Sequence, residues 1–129
     1  MSDSRAVVAG NGDVTVHLSL AARTLGIYSG RSMRVAAGEV AGIWRSDALT
    51  VGGQLRWKIA GTALSRRRAM GWFSWIGHRG RWAWVWLTPG RQVAVIETRR
   101  PRPALLVVPL DWFDAESAGR VPQTEWSAW

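Results

Sequence analysis

Two groups of residues in this chain have the types and the spacing for molecular recognition, and the first is a group of arginines. They lie on or beside the stretch that precedes an aromatic segment: Arg66, Arg67, Arg68, Arg79 and Arg81. A guanidinium group presents a planar fork of N–H donors that matches the oxygens of phosphate and carboxylate groups. The sequence therefore predicts an anion-binding set here.

The second group consists of tryptophans, which are unusually numerous in this chain. Ten are present in all, and five of them fall close together: Trp72, Trp75, Trp82, Trp84 and Trp86. Tryptophan and arginine are enriched among the residues that dominate protein interfaces, and large exposed apolar patches usually mark such sites. Burial of several tryptophans in the core of a small β domain is the alternative. We predict that these five residues bind a partner, because a single small core has little room for three tryptophans on one strand face.

Catalytic chemistry has little support in the sequence. The histidines, His17 and His78, lie on separate segments with no obvious carboxylate partner nearby, and surface or structural roles explain them. The chain has no His-Glu-x-x-His pattern, no Gly-x-Ser-x-Gly turn, no phosphate-binding loop and no dinucleotide glycine pattern in the required context. We therefore expect a protein that is not an enzyme and that uses no metal and no cofactor.

The element that must position these residues is predicted to be a β-hairpin over residues 81–98. Two runs rich in aromatic and β-branched residues, 81–87 and 92–98, flank a short polar turn. In that turn, Pro89 and Gly90 suit the two central positions of a type II turn. Side chains alternate along a strand, so the three tryptophans of the first run should face one side, opposite Ala83, Val85 and Leu87. Because both sides are apolar, we expect one to pack on the protein's own core and the other on something else.

Further strands are indicated by alternation and by apolar runs elsewhere in the chain. They are predicted over 14–20, 32–36, 38–45, 54–60 and 104–108, with a short additional strand possible over 25–28. The glycines within 38–45 favour a bulged or edge strand. Residues 61–80, which carry most of the arginines above, are predicted to form a loop.

A single helix is predicted after the last strand. Asp111, followed by an acid three residues later, has the pattern of a helix N-cap, and Gly119 is placed to end the helix. The expected organisation is a flexible N-terminus over 1–12, one domain over 13–119 and a tail over 120–129. That tail is either loosely packed or a docking peptide. With about six or seven strands and one helix, the fold is predicted to be a small antiparallel barrel or sandwich.

Composition restricts the class of protein further. The chain has 129 residues, a net charge of +8 and no cysteine, so disulfides and thiolate zinc sites are excluded. No apolar run reaches the roughly 18–20 residues needed to cross a bilayer, and the N-terminus does not resemble a secretory signal, so we expect a cytoplasmic protein. Residues 56–102 carry ten arginines and Lys58 against the single acid Glu97. This bias indicates either solvated loops or a cationic face for phosphate, acidic protein or anionic lipid.

Several stretches together resemble the small pleckstrin-homology-like (PH-like) proteins common in actinobacteria. They are Gly61-Thr62-Ala63-Leu64, Gly71-Trp72-Phe73, Gly77-His78-Arg79, Val93-Ala94-Val95-Ile96-Glu97 and the passage from Leu105 to Asp111. The similarity covers about residues 40 to 118. It implies a barrel of antiparallel strands in two near-orthogonal sheets, sealed at one open end by a C-terminal helix. The tryptophan content is higher than this family would lead one to expect.

The resemblance also implies a class of function, because PH-like domains mostly bind phosphoinositide headgroups or proteins. We therefore predict an interaction module that binds a protein partner, or a second copy of itself, through the tryptophan-rich hairpin. The alternative is peripheral binding of anionic lipid headgroups or other phosphate ligands through the arginine-rich loop, at the inner face of the membrane. Nucleic-acid binding is less favoured, because no recognition helix or RNA-binding motif accompanies the basic residues.

Overall fold

Strands dominate the computed structural model of the chain, which describes residues 4–25, 32–53, 55–65, 68–75, 82–100 and 103–121. The prediction of a mostly β protein is confirmed. The described segments contain nine strands: β1 (Arg5–Val8), β2 (Val14–His17), β3 (Ser32–Val35), β4 (Val40–Asp47), β5 (Leu55–Ser65), β6 (Arg68–Trp75), β7 (Trp82–Leu87), β8 (Gln92–Thr98) and β9 (Leu105–Pro109). Three short helices accompany them: α1 (Leu20–Leu25), α2 (Ala48–Gly52) and α3 (Ala115–Gly119). None of the helices in these segments has the length and hydropathy that crossing a membrane requires.

The strands form two sheets. The smaller is antiparallel with the order β1-β2-β3, and the larger has the order β4-β8-β9-β7-β6-β5. Every neighbouring pair is antiparallel except β7 and β9, which run parallel. Within the described segments no strand pairing closes either sheet on itself.

One apolar core lies between the two sheets. Alternate residues of β1, β2 and β3 are buried, including Ala6, Val14 and Val35. They belong to the same buried cluster as Trp84 and Ile96 of the larger sheet. Each strand of the smaller sheet therefore turns one face to this core and the other to solvent, which explains its alternating sequence.

A second core lies on the opposite face of the larger sheet. It contains the small and branched residues of the central strands, together with Ala48 and Val51 of α2. Asp47 begins α2, because its side chain accepts a hydrogen bond from the Thr50 N–H. The larger sheet is thus covered on both faces, and this explains why its central strands have few polar residues.

The predicted hairpin over 81–98 is correct in its strands and its turn but wrong in its pairing. Gly90 has φ 75°, and the Arg91 N–H donates to the Thr88 carbonyl oxygen, as the turn prediction required. However, β9 lies between β7 and β8 and pairs with both. All five residues of β9 are buried, so it occupies a central place where both of its faces are covered.

The predicted loop over 61–80 is wrong for the part that the structure describes. Residues 61–65 continue β5, and residues 68–75 form β6, while 76–80 lie outside the described residues. Within this stretch, Gly61 pairs directly with Gly71 across the two strands. A Cβ atom on Gly61 would lie 2.1 Å from the Met70 carbonyl oxygen, so glycine is needed for close approach of the two strands.

The remaining strand predictions are largely confirmed. The strands predicted over 32–36, 54–60 and 104–108 are present as β3, β5 and β9. That over 38–45 is β4, an edge strand with an irregular register between Val40 and Gly42. The strand expected over 14–20 ends at His17, and α1 follows it. Residues 26–28 lie outside the described part. The N-terminus expected to be flexible over 1–12 instead contains β1, because Ala6 and Val8 are buried in the core between the sheets.

The C-terminal helix is present but begins later than predicted. Asp114, not Asp111, is its N-cap and accepts a hydrogen bond from the Ser117 N–H at 2.7 Å. The segment covers the outer edge of β1. Phe113 forms a parallel bridge with Ala6, while Val8 donates its N–H to the Ser117 hydroxyl and accepts a hydrogen bond from Arg120. These contacts satisfy an edge that would otherwise be unpaired.

Candidate functional site

Trp84 and Trp86 of β7 pack in the core between the two sheets, on the side opposite Ala83, Val85 and Leu87, as predicted. Trp82 lies on the same face of the strand by alternation. Trp84 is completely buried there, with 0% of its surface exposed, and the smaller sheet packs over it. The partner-binding role predicted for Trp84 is therefore wrong, because the chain itself provides the second cover that we expected from another molecule. Trp82 and Trp86, at the two ends of the strand, are only half-buried.

At one end of β7, Trp82 contacts a tryptophan of the neighbouring strand. The rings of Trp72 and Trp82 meet edge to face, with 6.2 Å between their centroids, and Trp72 is also half-buried. Trp75 ends β6, but its side chain lies outside the described part of the structure. The strand register thus brings two of the predicted tryptophans together.

Of the predicted arginine set, the structure describes only Arg68. Arg66, Arg67, Arg79 and Arg81 lie outside the described residues, so the anion-binding prediction stays a prediction. Arg68 is exposed at the start of β6. The pairing of Ala69 with Leu87 places Arg68 at the same end of the larger sheet as the C-terminus of β7.

The other end of β7 borders an open recess of about 350 Å³. Trp86 and Trp112 form its aromatic walls; their ring centroids are 5.8 Å apart, and the rings are tilted by 44°. Trp112 comes from the 3-10 turn that follows β9, and both rings are half-buried. The remaining lining residues are Ser4, Thr88, Arg91, Pro109 and Asp111.

The rim of this recess carries an ion pair. Arg91, at the end of the turn between β7 and β8, donates a hydrogen bond from its Nη1 atom to Asp111 Oδ2. Both side chains are more than half exposed, at 60% and 53%. The pair therefore holds two opposite charges at the mouth of the recess, where solvent weakens their attraction.

A second recess has a volume of about 210 Å³. Trp112 lines both recesses, and Ser4 and Arg5, which are consecutive in sequence, line one each. The other residues of the smaller recess are Ala6, Val7, His17 and Asp114. We call the two recesses together the Trp112 groove.

The two oppositely charged side chains of the smaller recess, Asp114 and Arg5, differ in their bonding partners. The Asp114 carboxylate accepts the Ser117 N–H, and this backbone hydrogen bond is the main cause that lowers the pKa of Asp114 below its ordinary value of 3.8. Asp114 is therefore ionised at neutral pH. Arg5 is exposed and forms no ion pair with any described residue. It lies opposite His17 in the pairing of β1 with β2.

Two other ion pairs involve charged side chains that do not line the groove. Arg100 makes two hydrogen bonds to the Glu39 carboxylate, at 2.8 and 2.6 Å, and these are the main cause that lowers the pKa of Glu39. Arg34 pairs with Asp13 at 2.7 Å and lowers the pKa of that carboxyl group in the same way. Arg34 and Asp13 lie within the smaller sheet and the turn between its first two strands. Arg100 and Glu39 flank β8 and β4, which pair in the larger sheet. Neither pair lines a recess described above.

Sequence reasoning did not single out the residues that form the Trp112 groove, apart from Trp86. Trp112 was not among the predicted site residues, and Asp111 was expected only to cap a helix. The groove is built from four segments that are distant in sequence, around Ser4, His17, Trp86 and Trp112. One available signal was the placement of Trp112 between two acids, a large aromatic ring in a polar context.

In the described part of the chain, histidine and acidic side chains do not gather in any group of three or more that could hold a metal ion. Comparison with known proteins gives no relative, because no protein-family model, no curated protein and no solved structure matches the chain significantly. The function must therefore be argued from the geometry of the chain itself.

Proposed function

We propose that this chain is a non-enzymatic interaction domain that binds a protein partner at the Trp112 groove. The observation that carries the proposal is the contact between Trp86 and Trp112, two half-buried indoles that line a recess open to solvent. A half-buried indole offers a large apolar surface at a small cost in conformational entropy, so tryptophans at such positions often dominate binding energy. The proposed partner-binding site is therefore the Trp112 groove and not the tryptophan face of the predicted hairpin.

The charges around the groove favour a protein over a polyanion. Arg5 and Arg91 contribute positive charge, but Asp111 and Asp114 place negative charge beside the same aromatic ring. A membrane of anionic lipids or a nucleic acid would bring many like charges against those two carboxylates. Protein interfaces, in contrast, commonly combine an aromatic centre with a polar rim that carries both signs.

The fold of the domain fits a PH-like assignment in its general order, and we include that assignment in the proposal. Two packed sheets are followed by a C-terminal helix, α3, which lies against the edge of β1. The parallel pairing of β7 with β9 departs from the all-antiparallel pattern of that family. For this reason the proposal for the binding site rests on the groove and not on the family.

A random peptide library displayed on phage tests the proposal. We expect clones that bind the wild-type domain to lose about 30-fold in affinity for Trp112→Ala, because truncating a central interface tryptophan typically costs about 2 kcal/mol or more. Leu49→Ser is the matched control: Leu49 is 64% exposed on α2, on the opposite side of the larger sheet, and this variant should bind like wild type. Failure to select any clone, or clones that bind Trp112→Ala equally well, would refute the proposal.

A further inference from the structure

We propose that the partner presents a proline-rich segment, in the polyproline II conformation, to the larger recess of the Trp112 groove. This inference rests on the proposed function and specifies the class of peptide that binds. It follows from two properties of that one recess. Its wall is aromatic, and its side-chain hydrogen-bond donors exceed the acceptors beside them.

The aromatic wall is preformed. The rings of Trp86 and Trp112 contact each other, with centroids 5.8 Å apart, and Pro109 lines the same recess. Both indoles also pack against the core between the two sheets, while part of each ring stays exposed. The core therefore holds the rings in place for a ligand. A compact apolar ring, such as that of proline, can pack on them without rearrangement of the domain.

The polar side chains of the recess supply several hydrogen-bond donors. Trp86 and Trp112 each carry an indole N–H, a group that only donates, and neither indole donates to a described residue. Arg91 is a multiple donor, and its ion pair with Asp111 uses its Nη1 atom alone. A ligand in this recess therefore meets donors that have no partner in the described part of the domain.

Side-chain acceptors in the recess are fewer and largely engaged. The Asp111 carboxylate accepts from Arg91, and the Ser4 hydroxyl accepts the Ser19 N–H and donates to the Ser19 hydroxyl. The Thr88 hydroxyl remains, and it can donate as well as accept. A ligand with many N–H groups would leave some of them unsatisfied here, which costs free energy. The recess suits a ligand rich in carbonyl oxygens and poor in N–H groups.

A proline-rich segment has this combination of properties. Proline has no backbone N–H, and the polyproline II helix makes no internal hydrogen bonds, so its carbonyl oxygens are free to accept. A β-strand ligand carries one N–H for each carbonyl group, and an α-helix uses its carbonyl groups internally. Of these three conformations, only polyproline II matches both the aromatic wall and the excess of donors.

The dimensions and the charge of the recess agree with this ligand. One turn of a polyproline II helix rises about 9 Å over three residues, so a single turn spans the 5.8 Å between the two indole centroids. The expected motif therefore has two prolines within about one turn. Arg91 and Asp111 offset each other at the rim, so an uncharged segment can bind.

Decaproline, which has no charged side chain, is the probe that tests the inference. We titrate it into the domain in a calorimeter and compare it with a peptide of equal length that alternates glycine and serine. We expect saturable binding of decaproline, at least about tenfold tighter than that of the control peptide. Its affinity should change by less than about twofold between roughly 50 and 500 mM salt, because no ion pair forms on binding.

Two conservative variants test the role of the donors. Trp86→Phe and Trp112→Phe keep an apolar ring and remove the indole N–H, so each should weaken decaproline binding about three- to tenfold. Trp82→Phe is the matched control, because it makes the same change on the same face of β7 at a residue that does not line this recess. We expect it to alter affinity by less than about twofold. Circular dichroism verifies that each variant is folded.

The outcomes separate this inference from the function on which it rests. Library clones that need Trp112 but contain no prolines, together with decaproline that binds no better than the control peptide, would overturn the inference and leave the proposed function standing. Decaproline that binds both phenylalanine variants and wild type equally would also overturn the inference. A library in which no clone depends on Trp112 would overturn both.

Discussion

Replacing Trp84 with alanine is expected to lower the free energy of unfolding by about 3–5 kcal/mol, the range for removal of a large aromatic side chain from a core. Trp84 has no exposed surface, stacks on Trp86 with 6.4 Å between ring centroids and contacts the buried face of the smaller sheet. Alanine would leave a cavity between the two sheets. Urea titration followed by circular dichroism measures the change.

Trp82→Ala is the matched control for this prediction, because Trp82 lies on the same face of β7 and is only half-buried. Its truncation removes less buried area and should cost clearly less than that of Trp84. If both variants lost the same small amount, under about 1 kcal/mol, Trp84 would not be covered by the smaller sheet. The packing of one sheet on the other would then be contradicted.

Gly61→Ala is expected to destabilise the domain by roughly 3–4 kcal/mol, from two sources. Gly61 has φ 135°, a conformation that costs a residue with a side chain about 1–3 kcal/mol. The new Cβ would also lie 2.1 Å from the Met70 carbonyl oxygen and 2.8 Å from the Gly71 Cα, so the backbone of β6 must move. Urea denaturation again measures the loss.

Gly90→Ala is the control that separates the conformational cost of a positive φ from the cost of the steric clash. Gly90 also has a positive φ, of 75°, but a Cβ atom there would meet nothing within 4 Å. This variant should lose only the conformational part, about 1 kcal/mol. Equal losses for Gly61→Ala and Gly90→Ala would mean that β5 and β6 do not approach closely at this point.

The strands were the most predictable part of the fold, because their signal is local. Alternation in 32–35 and the apolar run in 105–109 are set by which faces each strand must cover. The turn at Pro89 and Gly90 was predictable for the same reason, since backbone preferences of two residues decide it. The division of β7 into a tryptophan face and a face of smaller residues also followed from the sequence.

Strand order was not predictable from the same local signals. The short turn between β7 and β8 suggested that these two strands pair. Instead β9 lies between them, a position that fits the burial of all five of its residues. The loop predicted over 61–80 was wrong for a similar reason, since Gly61 and Gly71 lie where β5 and β6 approach each other closely. Which neighbour a strand or a glycine meets is a property of the assembled sheet.

The candidate site was predictable only in part. Trp86 was among the expected binding residues, but its neighbour Trp112 comes from a turn that follows β9, and Arg5 comes from a terminus that was expected to be flexible. The burial of Trp84 depends on a second sheet whose strands are short. No pattern within 81–98 could indicate that the chain itself covers this face.

The central claim is that the chain covers the middle of its own tryptophan face and leaves Trp86 and Trp112 to meet a partner. Nitrogen-15 spectra of the tryptophan indole N–H groups, recorded with and without a selected peptide, test it most directly. We expect the signals of Trp112 and Trp86 to shift on binding and that of Trp84 to stay protected from a soluble paramagnetic probe. Shifts confined to Trp72 and Trp82, with Trp112 unchanged or Trp84 open to the probe, would contradict the claim.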